Sequence, residues 1–328
     1  MGRSSAAPRC RPMPSSPSPR PLPTAPETGP AIGPATGPAT RPLIAVVGLT
    51  ASGKSDWAME IAHRFDGEIV SIDSRQIYRR LDIGTAKPTS EMRSEIPHWC
   101  IDVVEPTERY SLGEYLKSAR AAVEDIRARG KRPVAVGGSG QHMRALLEGW
   151  QIPPVVEESQ LRDALSEETA ESLYDRLSEV DPHAAEQIGP TNVRRLIRAL
   201  EVYQVTGKPI SDWQRMREPV NYRACAPDLS LDELDARIAL RIEAMFETGL
   251  VDEVRQLLAE GLPEDAPGFD SIGYREVLSH LRGECPLNEA LEGVAQATRR
   301  FARRQRAWFR RDDPSICWAA DAPLAMLE

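Results

Sequence analysis

Metal-binding and disulfide patterns are missing from this chain of 328 residues. Its five cysteines and five histidines are dispersed, without the C-x-x-C spacing of a zinc or redox site. We therefore expect a reducing, cytoplasmic setting and no histidine-based metal centre. No apolar run reaches the ~20 residues that cross a membrane. The N-terminus lacks the apolar region of a signal peptide, so we expect no membrane partner.

An excess of positive charge is also missing, because the formal net charge is −8. Global charge does not exclude nucleic-acid binding, which depends on local patches. Two local clusters are basic: Arg194, Arg195 and Arg198 lie close in sequence, and the segment 299–311 is rich in arginine with interleaved aromatic residues. Solvated helix faces would explain both clusters. The second cluster has no acidic residue of its own before Asp312, which favours contact with phosphate or RNA.

Composition divides the chain into three parts. Residues 1–42 are rich in Pro, Ser, Ala and Gly, and are predicted to be a disordered tail or an over-long translation start. Strand and helix patterns alternate over 43–152, which predicts an α/β fold with a parallel sheet flanked by helices. Residues 153–213 show only helical periodicity and are predicted to be a small all-helical insertion. Residues 214–328 complete the α/β core.

Hydrophobic periodicity and capping residues locate the individual elements. The predicted strands cover 43–47, 68–72, 133–137 and 316–319. The predicted helices cover 111–129, about 140–148, 166–177, 191–206, 231–260 as two helices that meet near Gly249, 272–282 and 287–311.

A glycine-rich run follows the first predicted strand and precedes a helix-compatible stretch. This order matches the P-loop pattern G-x-x-x-x-G-K-[ST] and predicts a P-loop NTPase-like core. Backbone N–H groups and the helix N-terminus attract an anion, the lysine neutralises phosphate oxygens, and the final serine can ligate Mg²⁺. The motif does not identify which phosphates are held. The predicted phosphate-binding residues are Gly48, Leu49, Thr50, Ala51, Ser52, Gly53, Lys54 and Ser55, with Ser55 as the metal ligand.

Three further strings lie where α/β proteins bind ligands. Asp73 directly follows the second predicted strand, at the edge where the carboxyl ends of parallel strands meet. It is suited to hold Mg²⁺ through water, to accept a proton, or to close an Asx turn. Lys87 either adds charge near the phosphates or is a solvated lysine. The glycine run 137–140 is either a second anion contact or a plain strand–helix turn.

Taken together, these strings resemble the tRNA dimethylallyltransferase family, over about residues 43–311 and in the same order. This sequence departs from the family pattern at Leu49 (commonly Pro), Trp99 (commonly His), Ser139 (commonly Thr) and His142 (typically Tyr), among others. The departures leave the chemistry alone and put some RNA contacts in doubt. The resembling stretches are Gly48–Ser55, Asp73–Tyr78, Asp82–Pro88, Tyr110–Ser111, Val136–Gly140, Arg198–Val202, Thr206–Pro209, Ile272–Glu276 and Thr298–Phe309.

The resemblance implies transfer of a dimethylallyl group from its diphosphate to N6 of adenosine 37, beside the tRNA anticodon. The P-loop would then hold the donor diphosphate rather than ATP, with Mg²⁺ as cofactor. Asp73 matches the family's base, and Thr50 matches its hydroxyl near the reacting centre. An arginine is also implied on the diphosphate, and Arg237 and Arg241 are both candidates. We expect a monomer. The residues implied to contact the anticodon stem-loop are Asp73, Ser74, Arg75, Gln76, Ser139, Arg194, Arg195, Leu196, Ile197 and Arg198.

Three alternatives remain open from the sequence. A P-loop kinase for a small metabolite would turn over ATP and would not need the helical insertion. A prenyltransferase acting on free AMP would share the donor chemistry but not the basic helices. A nucleotide-dependent RNA-binding module would need those helices but neither Asp73 nor Thr50. An all-helical isoprenoid synthase is disfavoured because the chain has no D-D-x-x-D motif.

Overall fold

The computed structural model describes residues 41–154 and 159–328. The predicted tail therefore lies outside the described residues, apart from its last two positions. No helix in the described ranges is long and apolar enough to cross a membrane. The chain separates into two compact units. The first comprises the described residues up to Tyr110 together with Ser118–Met143 and Asn221–Glu328, and the second comprises Ser111–Lys117 and Arg144–Val220.

A six-stranded sheet forms the centre of the first unit. In chain order its strands are β1 (Leu43–Val47), β2 (Gly67–Ser71), β3 (His98–Trp99), β4 (Arg132–Gly137), β5 (Tyr222–Pro227) and β6 (Ile316–Ala319). The spatial order is β3-β2-β4-β1-β5-β6, and every neighbouring pair is parallel. The predicted α/β fold is confirmed. β1 lies between β4 and β5 and is buried along its whole length, as a central parallel strand requires.

The predicted bounds of β1 and β6 are confirmed. β2 begins and ends one residue earlier than predicted, and β4 begins one residue earlier. The prediction missed β3 and β5. β5 has no Val, Ile or Thr, and it ends at Pro227, so its sequence gives little strand signal. It becomes a strand because it pairs with β1 on one side and β6 on the other.

Helices of the first unit pack on the sheet through apolar side chains such as Ile61 of the first helix, which meets Ile44, Ile69 and Val134 in one cluster. Over the described residues of both units, the helices are α1 (Lys54–Arg64), α2 (Ser90–Glu95), α3 (Leu112–Ala128), α4 (Gly140–Leu147), α5 (Ser159–Ser166), α6 (Ala170–Val180), α7 (Pro182–Ile188), α8 (Val193–Thr206), α9 (Ile210–Arg215), α10 (Leu231–Glu247), α11 (Leu250–Ala259), α12 (Tyr274–Leu281), α13 (Leu287–Gln305) and α14 (Leu324–Leu327), with a 3₁₀ helix at Pro267–Asp270.

The last long helix ends earlier than the sequence predicts. Periodicity extends to residue 311, but α13 ends at Gln305. The carbonyl of Gln305 accepts hydrogen bonds from the backbone N–H of Trp308 at 2.9 Å and of Phe309 at 3.1 Å. The chain turns here because Phe309 is buried, with 3% of its surface exposed. The arginine-rich segment is therefore a helix followed by a tight turn.

The second unit is built from helices α5 to α9 around its own apolar core, which includes Leu173, Leu177, Leu196 and Leu200. One buried carboxylate connects two of these helices. Asp181 accepts the N–H of Ala184 at 3.0 Å, which caps α7, and the N–H of Ser211 at 2.9 Å in α9. The helical periodicity predicted for this part of the chain is confirmed.

Candidate active site in the first unit

The P-loop connects the end of β1 to the start of α1. Gly53, the residue before α1, has φ 89°, a left-handed conformation that favours glycine. A side chain at this position would also crowd the loop, because an added Cβ would lie 3.2 Å from Nη1 of Arg237. Strand, loop and helix therefore have the predicted order, with the N-terminus of α1 at the loop.

The buried amine of Lys54 is positioned in the P-loop to bind an anion. Its ammonium donates a hydrogen bond to the carbonyl of Leu49 at 3.0 Å, within the loop. Burial and the nearby positive charge of Arg241 lower the pKa of Lys54 to about 8, although the Asp73 carboxylate acts in the opposite direction. A bound anion would relieve this unfavourable environment, because it would favour the charged amine.

Both arginines proposed for the donor diphosphate lie at the P-loop. They are four residues apart on α10, so they share one face of that helix. Arg237 donates to the carbonyl of Ser52 at 3.3 Å. Burial lowers the pKa of Arg241, which also feels the Asp73 carboxylate. The arrangement brings both candidates to the loop and does not choose between them.

A buried hydroxyl in the loop is unsatisfied. Ser52 is 3% exposed, and its Oγ has no hydrogen-bond partner among the described residues. Such a group costs free energy unless a ligand completes it. No group of three or more His, Cys, Asp or Glu capable of holding a metal occurs in the described ranges. The donor set present, one Ser55 hydroxyl beside an anion site, fits Mg²⁺ held mainly through substrate phosphates.

Asp73 closes an Asx turn at the carboxyl end of β2. Its Oδ1 accepts the N–H of Arg75 at 2.8 Å. Burial lowers the pKa of Lys54, Arg241 and His142, and the same carboxylate acts to raise each of them, so it lies near these three side chains. The turn occupies only one carboxylate oxygen. Asp73 can therefore close the turn and still use its other oxygen in the site.

Ser139 connects this turn to the glycine run after β4. Its Oγ accepts the N–H of Ser74 at 3.1 Å. The glycine run therefore serves as more than a strand–helix turn, because it fixes the position of the Asp73–Gln76 segment.

The side-chain amide of Gln76 is used inside the protein. Its Oε1 accepts the hydroxyl of Ser71 at 2.8 Å, and its Nε2 donates to the carbonyls of Ala86 at 3.0 Å and Thr85 at 3.3 Å. Gln76 thus joins β2 to the 82–88 loop. A contact between this amide and RNA would replace one of these bonds.

Lys87 is buried and paired with carboxylates, so it is not the solvated lysine that one interpretation of the sequence describes. Its side chain is 2% exposed, and its ammonium pairs with Asp82 at 2.7 Å and with Asp102. It also donates to the carbonyl of Tyr78 at 2.6 Å. Lys87 therefore holds the 82–88 loop closed beside Gln76.

Sequence reasoning missed Gln305. Its Oε1 accepts the N–H of Thr50 at 2.8 Å, and its Nε2 donates to the carbonyl of Gly138 at 2.8 Å. The side chain is buried, with 3% of the residue exposed. A usable signal was present, because Gln305 lies one helical turn after the buried Ala302 on the apolar face of α13.

Trp99 and His142, two departures from the family pattern, lie in defined environments in the structure. Trp99 donates its indole N–H to Glu68 at 2.9 Å, and the guanidinium of Arg129 lies 5.7 Å from its ring centroid. Burial lowers the pKa of His142 to about 4, with Asp73 acting in the opposite direction. His142 is therefore neutral at pH 7 and near the Asp73 carboxylate.

In the second unit, α8 carries the predicted cluster of basic residues. Arg194 and Arg195 are exposed, whereas Leu196 and Ile197 are buried in the helical core. Arg198 pairs with the fully buried Glu201 at 2.6 Å. The exposed charge of this segment therefore comes mainly from its first two arginines.

The arginine-rich segment of the first unit has acidic partners that are distant in sequence. Arg303 pairs with Asp235 of α10 at 3.0 Å, and Arg311 pairs with Asp228. Arg304 lies over the ring of Phe301, 5.9 Å from its centroid. These pairs neutralise part of the positive stripe that the sequence suggested.

Comparison with known proteins places the chain among prenyl transferases. A family model described as IPP transferase matches residues 76–312. The chain is 51% identical over 288 residues to the tRNA dimethylallyltransferase of Roseiflexus castenholzii, covering 86% of this chain and 94% of the relative. It is 46% identical over 286 residues to that of Chloroflexus aurantiacus, covering 86% and 97%.

Solved structures give the same result. The tRNA isopentenylpyrophosphate transferase of Bacillus halodurans superposes with a TM-score of 0.63 at 35% identity, covering 85% of this chain and 89% of that one. A eukaryotic dimethylallyltransferase captured acting on tRNA superposes with a TM-score of 0.76 at 26% identity, covering 86% of this chain and 74% of that one.

Proposed function

Because the chain belongs to the tRNA dimethylallyltransferase family, we propose that it transfers a dimethylallyl group from dimethylallyl diphosphate to N6 of adenosine 37 in tRNA. The product is N6-isopentenyladenosine, and pyrophosphate is released. The observation that carries the proposal is a carboxylate beside a cationic P-loop. Asp73 follows β2 at the carboxyl end of the parallel sheet, close enough to Lys54 and Arg241 to act on the pKa of each.

The P-loop holds the donor diphosphate in this proposal. Its amides, Lys54 and the orphaned Ser52 hydroxyl supply donors, and Arg237 and Arg241 supply charge from α10. These groups stabilise the negative charge that grows on the leaving pyrophosphate. Mg²⁺ held by Ser55 and by the donor's oxygens would neutralise part of that charge. Phosphoryl transfer from ATP would use the same cradle, which is why the loop alone does not identify the reaction.

The acceptor side is built around Asp73. The exocyclic amine of adenine is a poor nucleophile, so a base that removes its proton lowers the barrier. The N6 nitrogen forms a bond to the allylic carbon while the carbon–oxygen bond of the donor breaks, and the N6 proton passes to the Asp73 carboxylate. Thr50 of the P-loop would supply the hydroxyl that the family resemblance implies near the reacting centre. The adenine has to leave the anticodon-loop stack to reach these groups.

The RNA contacts involve residues from each unit. In the first, the Asp73–Gln76 segment and Ser139 lie beside the reacting groups. In the second, the exposed Arg194 and Arg195 are suited to phosphate contacts. Exposed arginines of the segment 299–311 add further positive charge.

The test is prenyl transfer from labelled dimethylallyl diphosphate with Mg²⁺, offered unmodified tRNA and free AMP in parallel. Digestion of the RNA to nucleosides should give labelled N6-isopentenyladenosine from tRNA only. Label in AMP alone would replace the proposal with a free-nucleotide enzyme. Label in neither, together with ATP turnover, would favour a kinase.

A further inference from the structure

One buried amide joins two loops that the proposed reaction uses for different substrates. Gln305 accepts from the N–H of Thr50 in the P-loop and donates to the carbonyl of Gly138 in the glycine run after β4, both at 2.8 Å. The two partners lie at the ends of neighbouring strands, since β1 pairs with β4. The side chain therefore spans the gap between these strand ends.

The connection continues to the acceptor side. The residue after Gly138 is Ser139, whose hydroxyl accepts the N–H of Ser74. Ser74 is next to Asp73, whose carboxylate receives the N–H of Arg75. Thr50, Gln305, Gly138, Ser139 and Ser74 thus form an unbroken series of bonds from the donor loop to the segment that carries the proposed base.

We propose that Gln305 is a positioning residue that sets the separation between the donor loop and the Asp73 segment. It does not touch the reacting atoms. Its two bonds fix Thr50 on one side and the Ser139–Ser74 contact on the other, so that the allylic carbon and N6 meet in reacting geometry. This inference rests on the proposed transfer reaction. An error of about 1 Å in such a separation can cost on the order of 10²-fold in rate.

Gly138 leaves just enough space for the Gln305 amide, so the contact between them depends on glycine at this position. A Cβ added to Gly138 would lie 2.3 Å from Nε2 of Gln305 and 3.1 Å from the carbonyl oxygen of Gly48. Such distances require the amide to move. Gly138→Ala should therefore displace Gln305 without changing Gln305 itself, and should reproduce the kinetic defect of a Gln305 substitution.

The first experiment measures single-turnover prenyl transfer, donor KM and tRNA affinity for the full chain and for the variants Gln305→Met, Gly138→Ala and Gln256→Met. Gln305→Met keeps the length of the side chain and removes both hydrogen bonds. We expect its rate to fall on the order of 10-fold to 100-fold, with the Kd for tRNA changed less than about twofold. Gln256→Met is the matched control, because Gln256 is an exposed glutamine on α11 that bonds only to Glu260 among the described residues. It should transfer at the wild-type rate.

The second experiment uses pH to separate positioning from general stability. Gln305→Glu keeps the acceptor for Thr50 N–H but sets a carboxylate oxygen against the carbonyl of Gly138. Burial and that carbonyl raise the pKa of the introduced carboxyl against the opposing charges of Lys54 and Arg241. Its protonated form can donate to Gly138 as the amide does. The rate relative to wild type should therefore recover several-fold as pH falls from 8 to 6, whereas Gln305→Met should show no recovery.

The outcomes are distinct. If the wild type transfers no label, the proposed function fails before the variants are compared. If the wild type is active and Gln305→Met matches it within about twofold, Gln305 does not position the loops. The inference is also overturned if the tRNA Kd weakens as much as the rate falls, or if the two Gln305 variants have parallel pH profiles.

Discussion

At the residue scale, Asp73 combines a turn contact with the proposed proton transfer. Two substitutions distinguish these roles. Asp73→Asn keeps an oxygen to accept the N–H of Arg75, which the wild-type residue accepts at 2.8 Å, and removes the charge. Asp73→Ala removes both. We expect both variants to lose roughly 10² to 10⁴ in turnover and to keep tRNA affinity, in single-turnover and filter-binding assays. Wild-type turnover by Asp73→Asn would show that the carboxylate is not the base.

Lys54 makes donor binding sensitive to alkaline pH. The pKa of its amine is lowered to about 8 in the free protein by burial and by Arg241. A diphosphate prefers the protonated amine, so its binding takes up a proton above that pKa and weakens as pH rises. We expect the Kd for pyrophosphate to increase roughly tenfold between pH 7 and 9, measured by calorimetry.

Lys54→Arg provides the comparison for this prediction, because a guanidinium stays charged across the range. The titration of pyrophosphate itself is common to both proteins and cancels in the ratio. Equal pH dependence in the two proteins would contradict an essential charge on Lys54 with a lowered pKa.

At the element scale, strands with a strong strand signal in their own sequence were predictable. Strands that depend on pairing with neighbouring strands were not. β1 is a run of β-branched and aliphatic residues, and its predicted bounds are confirmed. β5 has the weak sequence Tyr-Arg-Ala-Cys-Ala-Pro and was missed, although it lies inside the sheet between β1 and β6. The same distinction applies to the site. The P-loop could be located from the spacing of its residues. Gln305 could not be placed in the site, because its partner Thr50 is 255 residues away.

The 82–88 loop depends on one buried lysine. Lys87 compensates Asp82 and Asp102 and bonds to the carbonyl of Tyr78. Lys87→Met removes the buried ammonium and its bonds to Asp82, Asp102 and the carbonyl of Tyr78, while Asp102 keeps its pair with Arg93. It should lower the free energy of unfolding by about 2 kcal/mol, measured in urea. Lys117→Met on the exposed face of α3 should change it by less than about 0.5 kcal/mol. Equal effects of the two changes would contradict the structural role of Lys87.

At the scale of the whole molecule, the charge is −8 while the proposed substrate is a polyanion. Binding then has to come from local arginines such as Arg194 and Arg195 of α8. Replacing both with alanine should weaken tRNA binding and reduce the slope of log Kd against log salt by about 2, roughly 1 for each phosphate contact. Arg64→Ala is the control, since Arg64 pairs with Glu328 at the far end of α1. An unchanged slope would exclude these two arginines from the interface.

The bond between Thr50 and Gln305 has a consequence for biosynthesis. The P-loop is made early, but the side chain that joins it to the glycine run is 255 residues later in the chain. At ribosomal rates of ~5–20 residues per second, about 13 to 51 s separate the synthesis of the two partners. β5, which pairs with β1, also appears late, at residues Tyr222–Pro227. A nascent chain therefore carries its P-loop long before Gln305 is available to bond to it. A partly synthesised enzyme on the ribosome has no assembled active site with which to modify the surrounding tRNAs.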